Sequence, residues 1–259
     1  MIALVAAVAL LAGCAATPPA PAGAGSPNVA ESPADDPAYT VVVFGDSWGY
    51  GAHCGDCTPW PKLLEAGYES EYGVNVDVVD LVENGGNTDS LLAEFRNDAR
   101  YREAIAGADV VIINQGVNDF DQFGDVFQSY AAGTCGGADG MGCLSALTEH
   151  WRQNLDGFAT EVEWLREGQP TALRLVGVSN EFYTDPGLGF LGKDMGTKTF
   201  ASFNSVSCEV AAAHGGQCVD LRPVLNGPAG DEPADPNTQE AMQAVADAIV
   251  AVGLAELER

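Results

Sequence analysis

Apolar and polar positions along the chain follow two rhythms, one of period two and one of helical spacing. Residues 39–44 (Tyr-Thr-Val-Val-Val-Phe) are rich in β-branched and aromatic side chains and predict a short buried strand. The run breaks at Gly45 and leaves Asp46 and Ser47 at its carboxyl end, with Gly49 and Gly51 just beyond. Residues 59–72 carry Trp60, Leu63, Leu64 and Gly67 at helical spacing. A second strand is predicted over 74–82, where Val alternates with polar residues, and it runs into the Gly- and Asn-rich turn 83–88. A helix follows over about 89–106, then a third strand at 109–114 that breaks into Gln115-Gly-Val-Asn118-Asp119. Residues 120–142 read as a long Gly-rich loop and 144–166 as a long amphipathic helix. Strands at 172–178 and 217–221 alternate with helices at 200–214 and 238–257.

Strands alternating with helices predict a mostly parallel sheet. The expected fold is α/β, a flavodoxin-like three-layer α/β/α sandwich whose five-stranded parallel sheet has the order 2-1-3-4-5. In such sheets ligands sit outside the carboxyl ends of the strands, so Ser47 is well placed to be a nucleophile. The bland alternative, that Ser47 only caps the next helix, stays open on this stretch alone.

Ahead of this domain, residues 1–13 hold no charge and 2–11 are unbroken apolar sequence. That is too short to span a bilayer and fits the apolar core of a signal peptide. Leu11-Ala-Gly-Cys14 resembles a bacterial lipobox, which implies lipidation of Cys14, membrane attachment through that lipid and an extracytoplasmic location. The usual Lys or Arg ahead of the apolar run is missing, as it would be if translation started further upstream. Residues 15–37 are almost entirely Ala, Pro, Gly, Ser and Asp and read as a flexible tether, because they cannot bury enough apolar surface to offset their ordering entropy. The folded domain is expected over 38–259.

Six further cysteines (Cys54, Cys57, Cys135, Cys143, Cys208 and Cys218) form an even set behind an export signal, which argues for disulfides. Six cysteines allow about 15 pairings; their grouping makes 54–57, 135–143 and 208–218 the first expectation. Zinc would want a second close Cys or His pair, which the wider spacing of Cys135 and Cys143 does not supply. The chain carries 37 acidic and 11 basic residues, a net charge of −26. Such a surface repels nucleic acid, and its plainest role is to keep an exported protein soluble. No metal or organic cofactor is implied, and a monomer is expected.

Three loops stand out: Gly45-Asp46-Ser47, Gly85-Gly86 and Gly116-Val-Asn118-Asp119, each directly after one of the first three strands. In the order 2-1-3-4-5 all three meet at one edge of the sheet, with Ser47 between the other two. A hydroxyl, a glycine N–H and an asparagine amide are what acyl transfer requires: an attacking oxygen and donors for the developing oxyanion. At these residues the chain resembles the SGNH (GDSL) hydrolase family. The resemblance implies Ser47 as nucleophile, and Ser47 N–H, Gly86 N–H and the Asn118 side chain as the oxyanion hole. Gly85 stands where that family usually has Ser. Gly45-Asp-Ser-Trp-Gly49 also satisfies the G-x-S-x-G elbow of α/β-hydrolases, but that fold places several strands ahead of its elbow and here only one fits.

The family's last block, Asp-x-x-His before a Pro, is where the resemblance departs. Aligned on Pro236, Asp235 takes the histidine's place and Glu232 the aspartate's; alternatively the block is deleted. No histidine follows His214. Loss of the base in a Ser-His-Asp enzyme costs about 10⁶ in kcat and leaves about 10³–10⁴ over water. A carboxylate makes a poor base for a serine unless burial or a neighbouring acid such as Asp231 raises its pKa. Of the histidines, His53 follows Ser47 by six residues, whereas His150 and His214 are expected far from the motif loops. Two readings follow: a serine ester hydrolase acting on small esters or on acylated carbohydrate or lipid, and a catalytically degenerate domain that binds such ligands without turnover.

Overall fold

A computed structural model describes residues 39–122, 126–138, 141–180 and 196–257. Cys14, the apolar leader and the 15–37 tether lie outside the described residues.

The strands β1 (Tyr39–Gly45), β2 (Val76–Asp80), β3 (Val110–Asn114), β4 (Ala172–Val176) and β5 (Gln217–Val219) form one parallel sheet. Its order is β2-β1-β3-β4-β5, as the alternation predicted. Period-two alternation sends neighbouring side chains to opposite faces. Val42, Phe44, Val111, Ile113, Leu173 and Leu175 join one apolar core, and Val41, Val43, Val110, Ile112, Ala172 and Val176 join the other. The first core is covered by α2 (Thr88–Asn97), α3 (Ala99–Gly107), α6 (Gly142–Arg166) and α7 (Thr197–Ala213). The second is covered by α1 (Leu64–Tyr72) and α9 (Gln239–Ala251). Because both faces are sheathed, β1 and β3 carry near-continuous apolar runs, Val41–Phe44 and Val110–Ile113, rather than alternating with polar residues.

Four details differ from the pattern-based expectation. The helix expected over 89–106 breaks at Asp98 (φ −89°, ψ 122°), whose side chain accepts from Arg100 N–H at 2.8 Å and caps α3. The 120–142 segment is not all loop: α4 (Asp119–Gln122) and α5 (Val126–Ala131) interrupt it, both too short to leave a periodic signature. A further short helix, α8 (Arg222–Leu225), follows β5. The last helix ends at Ala251, and the chain turns at Gly253 (φ +82°) into a 3-10 turn at Ala255–Leu257.

That final turn has an electrostatic reason. Arg174 is fully buried on β4, on the α1/α9 face. Glu256 meets its guanidinium with two 2.8 Å hydrogen bonds, and Gly253 O accepts a third at 2.6 Å. The disulfides Cys54–Cys57, Cys135–Cys143 and Cys208–Cys218 are those first expected; the last joins α7 to β5. Among the described residues no helix is long and apolar enough to cross a membrane.

The Arg174–Glu256 pair yields a prediction. Burial alone would raise the Glu256 carboxyl, but the hydrogen bonds from Arg174 and Gln217 outweigh it and hold the carboxyl below the ordinary glutamate value. Its stabilising contribution is therefore present above the unfolded-state pKa and is lost as pH falls through the depressed one. Glu256→Gln should cost roughly 3 kcal/mol at pH 7, since it leaves a buried guanidinium without its charge partner. Urea unfolding should show that difference shrinking below about pH 4; a pH-independent difference would contradict this account.

Candidate active site

The first three strands end side by side. Gly45 pairs with Asn114 across β1 and β3, and Glu83 N–H donates to Gly45 O at 3.1 Å from the β2 side. The connection from β1 to β2 runs over one face of the sheet and that from β2 to β3 over the other, so this edge is the topological switch point where such sheets bind ligands.

Ser47 sits two residues past Gly45 in a tight turn. Tyr50 N–H donates to Asp46 O at 3.1 Å and Ala52 N–H to Ser47 O at 3.0 Å. Asp46, almost fully buried, accepts from Trp48 N–H at 3.1 Å. Gly45 allows this turn to leave the sheet closely: a Cβ there would lie 3.0 Å from Asn114 O. A small pocket beside the turn is lined by Asp46, Trp48, Asn114, Val117, Val178 and Ser179.

The loops after β2 and β3 are joined at one atom. Gly86 O accepts from the Asn118 side-chain amide at 2.7 Å and from the Gln115 side-chain amide. Primary amides carry two hydrogens, so this contact anchors Asn118 while leaving it a second donor. Gly85, where the resemblance expects serine, has φ +85°, a conformation that favours glycine over any side chain. Gly116 is required twice over, by φ +146° and by the Phe203 ring, which a Cβ would approach to 2.3 Å.

Behind these loops lies a buried polar group. Asp119 accepts from Thr88 Oγ1 at 2.5 Å and from Thr88 N–H at 3.2 Å. Burial raises the Asp119 carboxyl above the ordinary aspartate value, although the Thr88 bonds and His150 pull the other way. His150 Nε2 lies 3.0 Å from Asp89 Oδ2 and 3.8 Å from Asp119 Oδ1. His150, expected far from the motif loops, instead lies behind them: one turn of α6 packs against the start of α2 and brings the imidazole to Asp89 and Asp119. Asp89, Asp119 and His150 present donor atoms within 4.8 Å of one another, and the His150–Asp89 contact already pairs two of the three.

The segment aligned with the missing histidine block is at the site. Trp48 Nε1–H donates to Pro236 O at 3.0 Å, which fixes the 235–237 backbone beside the Ser47 turn. Asp235 is exposed, and its Oδ1 accepts from Asn237 N–H at 2.9 Å. Glu232 is exposed with its carboxyl group against Gly227, where a Cβ would lie 2.4 Å from Glu232 Cδ. Its backbone is held by Asn226, which also accepts from Asn180 N–H at the end of β4.

All three histidines are described, and none hydrogen-bonds Ser47. His53 is exposed immediately before the Cys54–Cys57 disulfide. His214 ends α7 just before β5, at the opposite end of the strands, and pairs with Asp156 and Glu163. Gln115, the Trp48–Pro236 link and Asn154 were missed in the sequence; only Gln115, beside the Gly-x-Asn-Asp block, carried any local signal.

The family model described as "GDSL-like Lipase/Acylhydrolase family" matches residues 43–240, a span holding Ser47, Gly86, Asn118, Glu232 and Asp235. The chain belongs to the GDSL-like lipase/acylhydrolase family. It therefore has the make-up of an ester-bond hydrolase. Solved structures agree on the fold. The lipase Lip_vut3 from a goat rumen metagenome superposes with a TM-score of 0.65 at 18% identity, over 83% of this chain and 98% of that one. A lipase/acylhydrolase from Enterococcus faecalis gives 0.54 at 19% identity, over 84% and 96%. A catalytic mutant of Axe2, an acetylxylan esterase from Geobacillus stearothermophilus, gives 0.51 at 16% identity, over 83% and 94%. No curated protein matches the sequence.

The two motif glycines should respond differently to a methyl group. Gly86→Ala should fold with a loss under about 1 kcal/mol, because its Cβ would meet only Gln115 and Ser90 at 3.6 Å. Gly116→Ala should lose about 3 kcal/mol or more through strain and overpacking against Phe203. Thermal melts of the two variants check this; equal losses would contradict the geometry.

Proposed function

We propose that the chain is an exported serine ester hydrolase in which Ser47 Oγ attacks the acyl carbonyl. The observation that carries this reading is the convergence of three motif loops at the switch point, with Gly86 O tied to Asn118. In this reading Ser47 N–H, Gly86 N–H and the second amide hydrogen of Asn118 receive the oxyanion. Asp235, beside the Trp48-anchored Pro236, takes the place of the base and Glu232 that of its partner. An exposed carboxylate accepts a serine proton poorly, so turnover should be slow and supported mainly by the oxyanion donors. The substrate class is a small acyl ester or an acylated carbohydrate or lipid. Lipidation at Cys14 would hold the enzyme at the outer side of the cell membrane.

The second reading, a domain that binds an ester or glycan and does not turn it over, is favoured by one observation: no histidine hydrogen-bonds Ser47. Hydrolysis of p-nitrophenyl acetate decides between them. The wild type should exceed Ser47→Ala by about 10²-fold or more, and Asp235→Asn should retain less than about a tenth of wild-type kcat. Equal rates for wild type and Ser47→Ala would leave only the binding reading. Fractionation tests the anchor: wild type should stay with membranes and Cys14→Ser should not, and a Cys14→Ser variant that remained there would refute it.

A further inference from the structure

The polar group behind the oxyanion loops is costlier than packing requires. Asn154 lies mid-helix on α6, buried among Trp151, Leu155 and Phe158, where an amide costs stability unless every hydrogen is used. Both hydrogens find acceptors: Nδ2 donates to Thr88 Oγ1 at 2.8 Å and to Asp89 Oδ1 at 3.0 Å, with His150 Nε2 3.2 Å from the same nitrogen. The first of these bonds occupies the acceptor side of the Thr88 hydroxyl. The hydroxyl's single hydrogen is thereby aimed at Asp119 Oδ1, 2.5 Å away. A directed chain results, from amide to hydroxyl to carboxylate, and Thr88 N–H closes on Asp119 Oδ2 at 3.2 Å.

The place of this chain gives it meaning. Thr88 follows Gly86 by two residues, and Asp119 directly follows Asn118. Helix capping does not explain the Thr88 hydroxyl, because Asn87 and Ser90 already form a reciprocal capping box on α2. Nor does apolar packing explain Asn154, whose side-chain amide meets Thr88, Asp89 and His150. What the three residues do together is join the β2 and β3 loops a second time, behind the Asn118–Gly86 contact.

We propose that Thr88 and Asn154 are positioning residues that set the spacing of the Gly86 and Asn118 donors through Asp119. The proposal rests on the ester-hydrolase reading for its catalytic consequence, and on the hydrogen-bond geometry alone for its mechanical one. Removing an oxyanion donor outright costs about 10²–10³ in kcat, and displacing one by about 1 Å can approach that loss.

The test uses the full chain and two readouts, p-nitrophenyl acetate kinetics and hydrogen-exchange mass spectrometry of segments 84–88 and 116–119. Val210→Ala, in the core of α7, serves as a control for general destabilisation. Thr88→Val and Asn154→Leu should each lower kcat by about 10- to 100-fold while KM stays within about 3-fold. Thr88→Ser, which keeps the hydroxyl, should recover kcat to within about 3-fold of wild type. In Thr88→Val both loop segments should exchange faster together, and in Val210→Ala neither should. Wild-type exchange of both segments in Thr88→Val, equal acceleration in the control, or failure of Thr88→Ser to rescue would overturn the proposal. A wild type no faster than Ser47→Ala would instead sink the hydrolase reading, and the exchange data would still decide whether the loops are coupled.

Discussion

The site depends on one constraint, the parallel pairing of β1 with β2 on one side and β3 on the other. Parallel register leaves little freedom: once Val43 faces both Asp80 and Ile112, the three strands end at one level. The loops that follow must then share a small volume. Slipping β1 by one residue would exchange its two faces, moving Val42 and Phe44 out of one apolar core and Val41 and Val43 out of the other. The two hydrophobic cores thus enforce the alignment that brings the three loops to one edge of the sheet.

Further cross-links refine what the register makes approximate. Gly86 O collects the amides of Asn118 and Gln115, Trp48 reaches Pro236, and Asn226 ties the 226–232 loop to the end of β4. Each is a buried or half-buried polar contact in which loss of one partner strands the other, so each resists drift more strongly than it adds net stability. Loops held this way can present fixed dipoles to a reacting carbonyl, which is the property an oxyanion site requires.

Much of this was legible in the sequence, for identifiable reasons. Strand order followed from alternation and from glycine-rich breaks directly after β1, β2 and β3, and disulfide pairing followed from the close spacing of the cysteines along the chain. The Asp98 break was hidden because Asp is compatible with a helical window until its side chain is seen capping α3. The ending of α9 was hidden because it is set by Arg174, more than 70 residues earlier in the chain. His150 and Asn154 were opaque for the same reason: their roles arise where α6 crosses α2, and a polar residue on an amphipathic helix looks solvated until its neighbour is known. The departure from the family's last block was readable, whereas the exposure of Asp235 and its bond to Asn237 N–H were not.

The proposed function separates two parts of catalysis that usually occur together. In that reading the oxyanion is received by donors on cross-linked loops, while proton transfer is left to a carboxylate at the edge of the site. The most direct measurement is a crystal structure of the protein after reaction with an alkylphosphonate p-nitrophenyl ester, whose tetrahedral adduct mimics the acylation intermediate. The account predicts phosphorus bonded to Ser47 Oγ, with one phosphonyl oxygen within hydrogen-bond distance of Ser47 N–H, Gly86 N–H and Asn118 Nδ2. An adduct on another residue, or one on Ser47 whose oxygen points away from Gly86 and Asn118, would contradict it.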